Sequence, residues 1–142
     1  MVDNIYQPYL KYATFCKNAD EGNDGNLTLT SVLDLIELDE PIEEINSGAL
    51  LTTLNVNLAF CIADASPGLH RLLVAIKTPG LPLDPPTPQK IEWRDDIIFQ
   101  RWIKVLQIPI QKTGLHVAAI LLDGMPLGEA SFLVRFKELK EK

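Results

Sequence analysis

The sequence is poor in the residues that most catalytic and metal-binding sites require. Its 142 residues include two histidines and two cysteines. A zinc site needs three or four ligands, and an activated nucleophile needs a base within hydrogen-bond reach. Cys16, Cys61, His70 and His116 carry suitable atoms, but no two of them have the spacing of a local ligand pair. We therefore predict no catalytic residues and no cofactor, and we favour a non-enzymatic protein.

The sequence also lacks a long apolar run. A run such as 115–122 is far shorter than the roughly 20 residues that a transmembrane helix needs. Asp3 precedes any apolar stretch, which does not fit a secretory signal. Both cysteines lie in apolar, strand-like segments, and without export they are most simply reduced, buried thiols. We expect a cytoplasmic chain that does not interact with a membrane.

Basic residues are scarce in the first half of the chain. The net charge is −6, which disfavours a nucleic-acid partner because the phosphate backbone attracts positive surface. Residues 1–64 hold eleven acidic and two basic residues, whereas residues 65–142 hold eight and eleven. Two outcomes are open: the halves lie on different faces and give the molecule a dipole that orients a partner, or they interleave and the charges mix.

Strand signals dominate the chain, and no run of twelve residues shows helical periodicity without a breaker. Apolar residues alternate with polar ones over 51–62 and again over 127–136, which is typical of strands with one face on a core. Glycine-rich and proline-rich turns separate these runs. We predict a single all-β domain over 1–142, an antiparallel β-sandwich of about seven to nine strands, with a charged tail at 137–142 that frays.

Three segments give more specific structural predictions. Residues 79–88 contain five of the ten prolines, so they cannot form a central strand, and a Greek-key-like crossover between two sheets fits them best. Residues 115–122 are apolar on both faces, which indicates a central strand. The Asp123-Gly124 pair after it predicts a type I′ hairpin. Residues 27–38 fit one continuous strand.

The candidate ligand-binding residues are two histidines and a neighbouring pair. His70 and His116 each follow a Gly-Leu dipeptide at the start of a predicted strand. The repeated tripeptide marks two equivalent hairpins, or the same turn occurs twice by chance. Trp93 and Arg94 place an aromatic ring beside charged residues, a combination that can anchor a ligand or partner. The alternative for Trp93 is a place in the core.

The candidate metal ligands lie in the loop after the first strand. Asp20 and Asp24 occupy the first and fifth positions of a segment that resembles the start of a calcium loop, and Gly25 takes the sixth. The twelfth position, where that loop carries a bidentate glutamate, is Ser31. A solvated hairpin loop is the better interpretation.

Two segments resemble a family of small bacterial domains of unknown function. Residues 12–16 read Tyr-Ala-Thr-Phe-Cys, and residues 25–32 read Gly-Asn-Leu-Thr-Leu-Thr-Ser-Val. Residues 115–134 match the strand, Asp-Gly turn and last strand with which that family ends. Lys17 replaces its usual acid after the cysteine, and Ser31 stands where glycine is frequent. The resemblance implies a small β-sandwich and no catalytic residues.

Two functions from different classes follow from these patterns. The first is a non-enzymatic β-sandwich that binds a protein partner or a second copy of itself, since the chain lacks a catalytic set and offers edge strands. The alternative is a small-molecule or carbohydrate-binding module, or a weak hydrolase, that uses loops at one end of the sandwich. It requires a concave pocket that holds His70 or His116 beside carboxylates.

Overall fold

The structure is all-β, as the sequence predicts. The computed structural model describes residues 5–39, 51–80 and 86–137. These ranges contain nine strands, at the upper end of the predicted number. In chain order they are β1 Tyr9–Glu21, β2 Leu27–Val32, β3 Leu35–Leu38, β4 Thr52–Ala63, β5 Gly68–Lys77, β6 Gln89–Trp93, β7 Phe99–Ile110, β8 Gly114–Leu122 and β9 Met125–Phe136.

The strands form two sheets that pack face to face. Sheet A has the order β2-β1-β4-β7, and sheet B has the order β3-β9-β8-β5-β6. Among the described strands, β3 and β9 are the one parallel pair, and the other pairs are antiparallel. Within the same ranges, no helical segment has the length and apolarity that a membrane span requires.

Alternating apolar residues of both sheets fill the core. The inner face of β4 contributes Leu58 and Phe60, both fully buried, and β8 contributes Ile120. Phe15 of sheet A meets Phe132 of sheet B edge to face, with ring centroids 5.0 Å apart. This geometry suits the quadrupoles of the two rings and joins the sheets at the centre of the sandwich.

Two predicted segments differ from the structure. Residues 27–38 split into β2 and β3, which belong to different sheets. Ser31 has a positive φ of 55°, and the chain leaves sheet A just after it. Leucine spacing cannot reveal this break, because the alternation continues across it.

The proline-rich segment at 79–88 also does not act as the predicted crossover. It joins β5 to β6, which are antiparallel neighbours in sheet B, and its residues 81–85 lie outside the described ranges. The chain passes from sheet B to sheet A in the short connection between β6 and β7. Prolines exclude a strand there, but they do not determine which strands pair on either side.

The predictions for β8 and its hairpin are confirmed. β8 is the middle strand of sheet B. Asp123 and Gly124 both have positive φ, 52° and 82°, as a type I′ turn requires. The two Gly-Leu-His starts also share a positive φ at the glycine, 127° at Gly68 and 130° at Gly114.

Candidate functional site

The structure separates the two histidines. His116 is fully buried in the core and stacks on Phe132 at 5.1 Å. Its Nδ1 donates to the carbonyl of Gly114 at 3.0 Å, while its buried Nε2 has no hydrogen-bond partner within the described chain. Burial lowers the pKa of His116, against a smaller effect of that hydrogen bond. His116 is therefore a neutral core residue and does not share a site with His70.

His70 lies at the edge of sheet B and joins three parts of the chain. Its Nδ1 is 2.5 Å from Oδ2 of Asp123, and its Nε2 is 2.6 Å from the carbonyl oxygen of Ser66. The other carboxylate oxygen of Asp123 accepts the backbone N–H of Arg71 at 2.8 Å. A carbonyl and an ionised carboxylate only accept, so this geometry favours the imidazole form in which both ring nitrogens carry a proton.

The pKa values of this pair move apart. Burial acts to lower the pKa of His70, but the hydrogen bonds to Asp123 and Ser66 outweigh it, and the pKa is raised. Burial acts to raise the pKa of Asp123, but its bonds to His70 and to the Arg71 amide outweigh it, and the pKa is lowered. Both shifts therefore favour the charged forms of the two groups.

The pair borders a cavity of about 350 Å³ between the N-terminal segment and the β8–β9 turn. Because both ring nitrogens of His70 are engaged within the protein, neither is free to accept a proton from a substrate. The site can hold a small polar ligand, but it is not arranged for general-base catalysis. Its lining residues are Tyr6, Gln7, Pro8, Ser66, His70, Leu122, Asp123 and Met125.

Asp123→Asn tests this charged pair, because asparagine keeps the acceptor for the Arg71 amide and tolerates positive φ. The raised pKa of His70 gives stability below pH about 6.5 that is lost as pH rises through the folded pKa. The lowered pKa of Asp123 gives stability that is lost in strong acid. At pH 5.5 we expect the variant to lose about 1 kcal/mol of unfolding free energy, a discounted value because Asp123 is half exposed.

Urea denaturation of both proteins between pH 5 and pH 9 measures the difference. The difference in unfolding free energy between the two proteins should decrease as the pH rises toward 9. The contribution of His116 cancels, since that residue is present in both proteins. A difference that stays constant over the whole range would show that His70 is not charged by its contact with Asp123.

The remaining predicted residues do not assemble into a site. Trp93 is buried and donates from Nε1 to the carbonyl of Ile97 at 3.0 Å, so the core alternative is correct. Arg94 is exposed and pairs with Asp96 at 3.5 Å. Asp20 is an exposed residue of β1, and Asp24 accepts hydrogen bonds from Asn26 within the hairpin loop. Over the described ranges, no three metal-ligating side chains cluster.

Sequence reasoning missed Arg101, which holds the β1–β2 hairpin against the outer face of sheet A. β1 pairs with β4 only as far as Cys16, and beyond it pairs with β2 alone. Arg101 Nη2 donates to Glu21 at 2.6 Å and to the Gly25 carbonyl at 3.1 Å. The hairpin thereby lies over Cys61, which is 1% exposed, and borders a second, open cavity of about 340 Å³ that Cys61 also lines.

The outer face of sheet B has no such cover from the described strands. Residues that alternate with the buried Ala118 and Ile120 point outward from β8, and all four of them are apolar. Cross-strand neighbours on β3, β5 and β9 extend the patch. We call it the β8 face, and its members are Leu35, Leu73, Ala75, Leu115, Val117, Ala119, Leu121 and Leu133.

Leucines are well exposed at one end of the β8 face. Leu35, Leu133 and Leu115 form a cross-strand row on neighbouring strands, and they are 40%, 39% and 54% exposed. In the sequence, the apolar outer face of β8 is visible as apolar residues on both faces of 115–122. That pattern identified a central strand, but it did not show that one of its faces lies outside the sandwich.

Comparison with known proteins adds little to this geometry. No protein-family model matches the chain, and no curated protein matches it. One solved structure to which it is similar is the Pseudomonas fluorescens alkylpurine DNA glycosylase AlkC bound to DNA containing an abasic site analog. The alignment covers 92% of this chain and 31% of the glycosylase, with 17% identity and a TM-score of 0.49. This distant likeness does not extend the glycosylase's activity or DNA binding to this chain.

Proposed function

We propose that this domain is a non-enzymatic binding or self-association module that contacts its protein partner through the β8 face. One observation carries the proposal: eight apolar side chains lie together on the outside of sheet B, on four adjacent strands. Contiguous apolar patches of several hundred Å² on a protein surface mark interaction sites. Burial of such a patch by a partner is favourable at about 25 cal/mol per Å².

The contrast between the two sheets supports this choice. On sheet A, the outward-facing Ala59 and Cys61 are almost completely buried beneath the β1–β2 hairpin. The chain thus covers these two apolar outer residues of sheet A with its own hairpin, although Val105 of the same sheet stays exposed. A partner is the simplest cover for the other sheet, since its inner face packs on the core while Leu35, Leu115 and Leu133 on its outer face stay exposed.

A small-molecule or carbohydrate-binding role is the second candidate, and the His70 cavity favours it. That cavity places a histidine beside a carboxylate, as the alternative requires. The engaged ring nitrogens of His70 argue against hydrolysis there, so this candidate is a binding function.

The proposed setting is the cytoplasm, without a nucleic-acid or membrane partner. Two free, buried thiols, Cys16 and Cys61, suit a reducing compartment. The net charge of −6 opposes nonspecific binding to nucleic acid. The resemblance to a bacterial domain family stays a prediction.

The test measures binding of an apolar fluorescent dye to the folded chain in dilute solution. Val117→Asp places a charge at the centre of the β8 face, and we expect it to lower dye affinity about tenfold. Val105→Asp is the matched control, because Val105 is 80% exposed on sheet A; it should change affinity by less than about twofold. Near-ultraviolet circular dichroism checks that all three proteins keep native packing. Equal effects of both substitutions would refute the proposal.

A further inference from the structure

We propose that a second copy of this chain occupies the β8 face in a symmetric dimer. The two-fold axis of this dimer runs parallel to β8, between sheet B of one copy and sheet B of the other. This inference rests on the proposed function and specifies its partner. A two-fold interface brings the same patch of both copies together, so the patch must be complementary to itself. The charges that flank β8 meet this requirement.

The two sides of the β8 face carry opposite unpaired charges. Lys77 on β5 lies beside Val117, and Glu129 on β9 lies on the other side of β8, beside Ala119. Both side chains are exposed, and neither forms an ion pair within the described chain. By contrast, Arg135 on the same face is already paired with Glu37.

An axis along β8 places these charges opposite each other. Rotation about this axis exchanges the β5 side of the sheet with the β9 side. Each residue keeps its position along the strand direction. Lys77 of one copy then faces β9 of the other, at a point two residues, or about 7 Å, along that strand from Glu129. The long side chain of Lys77 can span this distance. The symmetry forms this contact twice.

The alternative two-fold axis, across the strands, is disfavoured by charge. It would place β5 over β5, so that Lys77 would approach Arg71 of the other copy. Like charges brought together at an interface oppose association. The axis along β8 avoids this, and it also places Leu115, which lies on β8 itself, over Leu115 of the other copy.

The outer surface of sheet B is large enough for a specific dimer. Nine residues from each of β9, β8 and β5, with the four of β3 and the five of β6, give roughly 600 Å² per copy at a strand spacing of about 4.8 Å and a rise of about 3.4 Å. Two copies therefore bury about 1,200 Å², at the lower end of the 1,200–2,000 Å² range of specific interfaces. Two twisted sheets pack face to face in this way inside ordinary β-sandwiches.

Sedimentation velocity over a concentration series tests the dimer and its axis together. We expect Lys77→Glu and Glu129→Lys each to weaken dimerisation about tenfold, because each creates two like-charge contacts. The double variant should return to within about threefold of the original, because the pair is restored with reversed polarity. Lys17→Glu, an exposed lysine on sheet A, is the matched control and should have no effect.

The outcomes separate this inference from the proposed function. A chain that is monomeric at every concentration, but binds dye in a manner sensitive to Val117→Asp, overturns the dimer and leaves the binding face intact. A dimer that neither single variant weakens, or that the double variant does not recover, overturns the axis along β8. A chain that neither dimerises nor binds dye overturns both proposals.

Discussion

Phe132→Ala is expected to lower the free energy of unfolding by about 3–5 kcal/mol, the usual cost of removing a buried phenylalanine. Phe132 is 1% exposed. Its ring meets Phe15 of the opposite sheet and stacks on His116 of the neighbouring strand. Truncation therefore leaves a cavity at the point where the two sheets are joined, and it removes both aromatic contacts. Urea denaturation at pH 7 measures the change.

Leu133→Ala is the matched control for this prediction. Leu133 is the next residue of β9, but it points outward and is 39% exposed. Its replacement should cost less than about 1 kcal/mol, because little buried volume is lost. If the two variants are equally stable, the inward and outward faces of β9 have been assigned wrongly, and the β8 face with them.

Arg101→Ala is expected to increase the rate of alkylation of Cys61 about tenfold or more. The guanidinium donates to Glu21 and to the Gly25 carbonyl, so its loss frees the hairpin that covers the thiol. A local opening made easier by about 1.4 kcal/mol raises the exposed population tenfold. Peptide mapping by mass spectrometry after timed alkylation separates Cys61 from Cys16.

Thiol ionisation would change the rate in the opposite direction. Burial raises the pKa of Cys61, while Lys11 and Arg101 act to lower it. Loss of Arg101 therefore favours the less reactive protonated thiol and would by itself slow alkylation. Faster alkylation in the variant must then come from greater exposure of Cys61. Arg94→Ala removes a guanidinium that is exposed on another loop, and it should leave the rate unchanged. If both arginine variants alkylate at the original rate, Arg101 does not hold the hairpin in place.

Local patterns were enough to predict several of the strands and one turn. The alternation in 51–62 identified β4, because its odd residues avoid the core that its even residues fill. Asp123-Gly124 predicted its turn, because a type I′ hairpin needs two residues that accept positive φ. The apolar run at 115–122 predicted a central strand. Each of these inferences uses residues that are close together in the sequence.

The contacts that build the candidate sites were not predictable, because they join residues far apart. His70 and Asp123 are 53 positions apart, and Arg101 and Glu21 are 80 apart. Nothing in one sequence fixes which loops meet at the end of a sandwich. The same reason applies to residues 79–88, whose prolines limit the local backbone but do not decide the pairing of β5 with β6.

The central claim is that the β8 face is the binding surface of this domain. The most direct measurement compares dye affinity between Val117→Asp and Val105→Asp, which make the same substitution on opposite sheets. We predict a loss of about tenfold for Val117→Asp and almost none for Val105→Asp. An unchanged affinity in Val117→Asp, with native circular dichroism, would contradict the account.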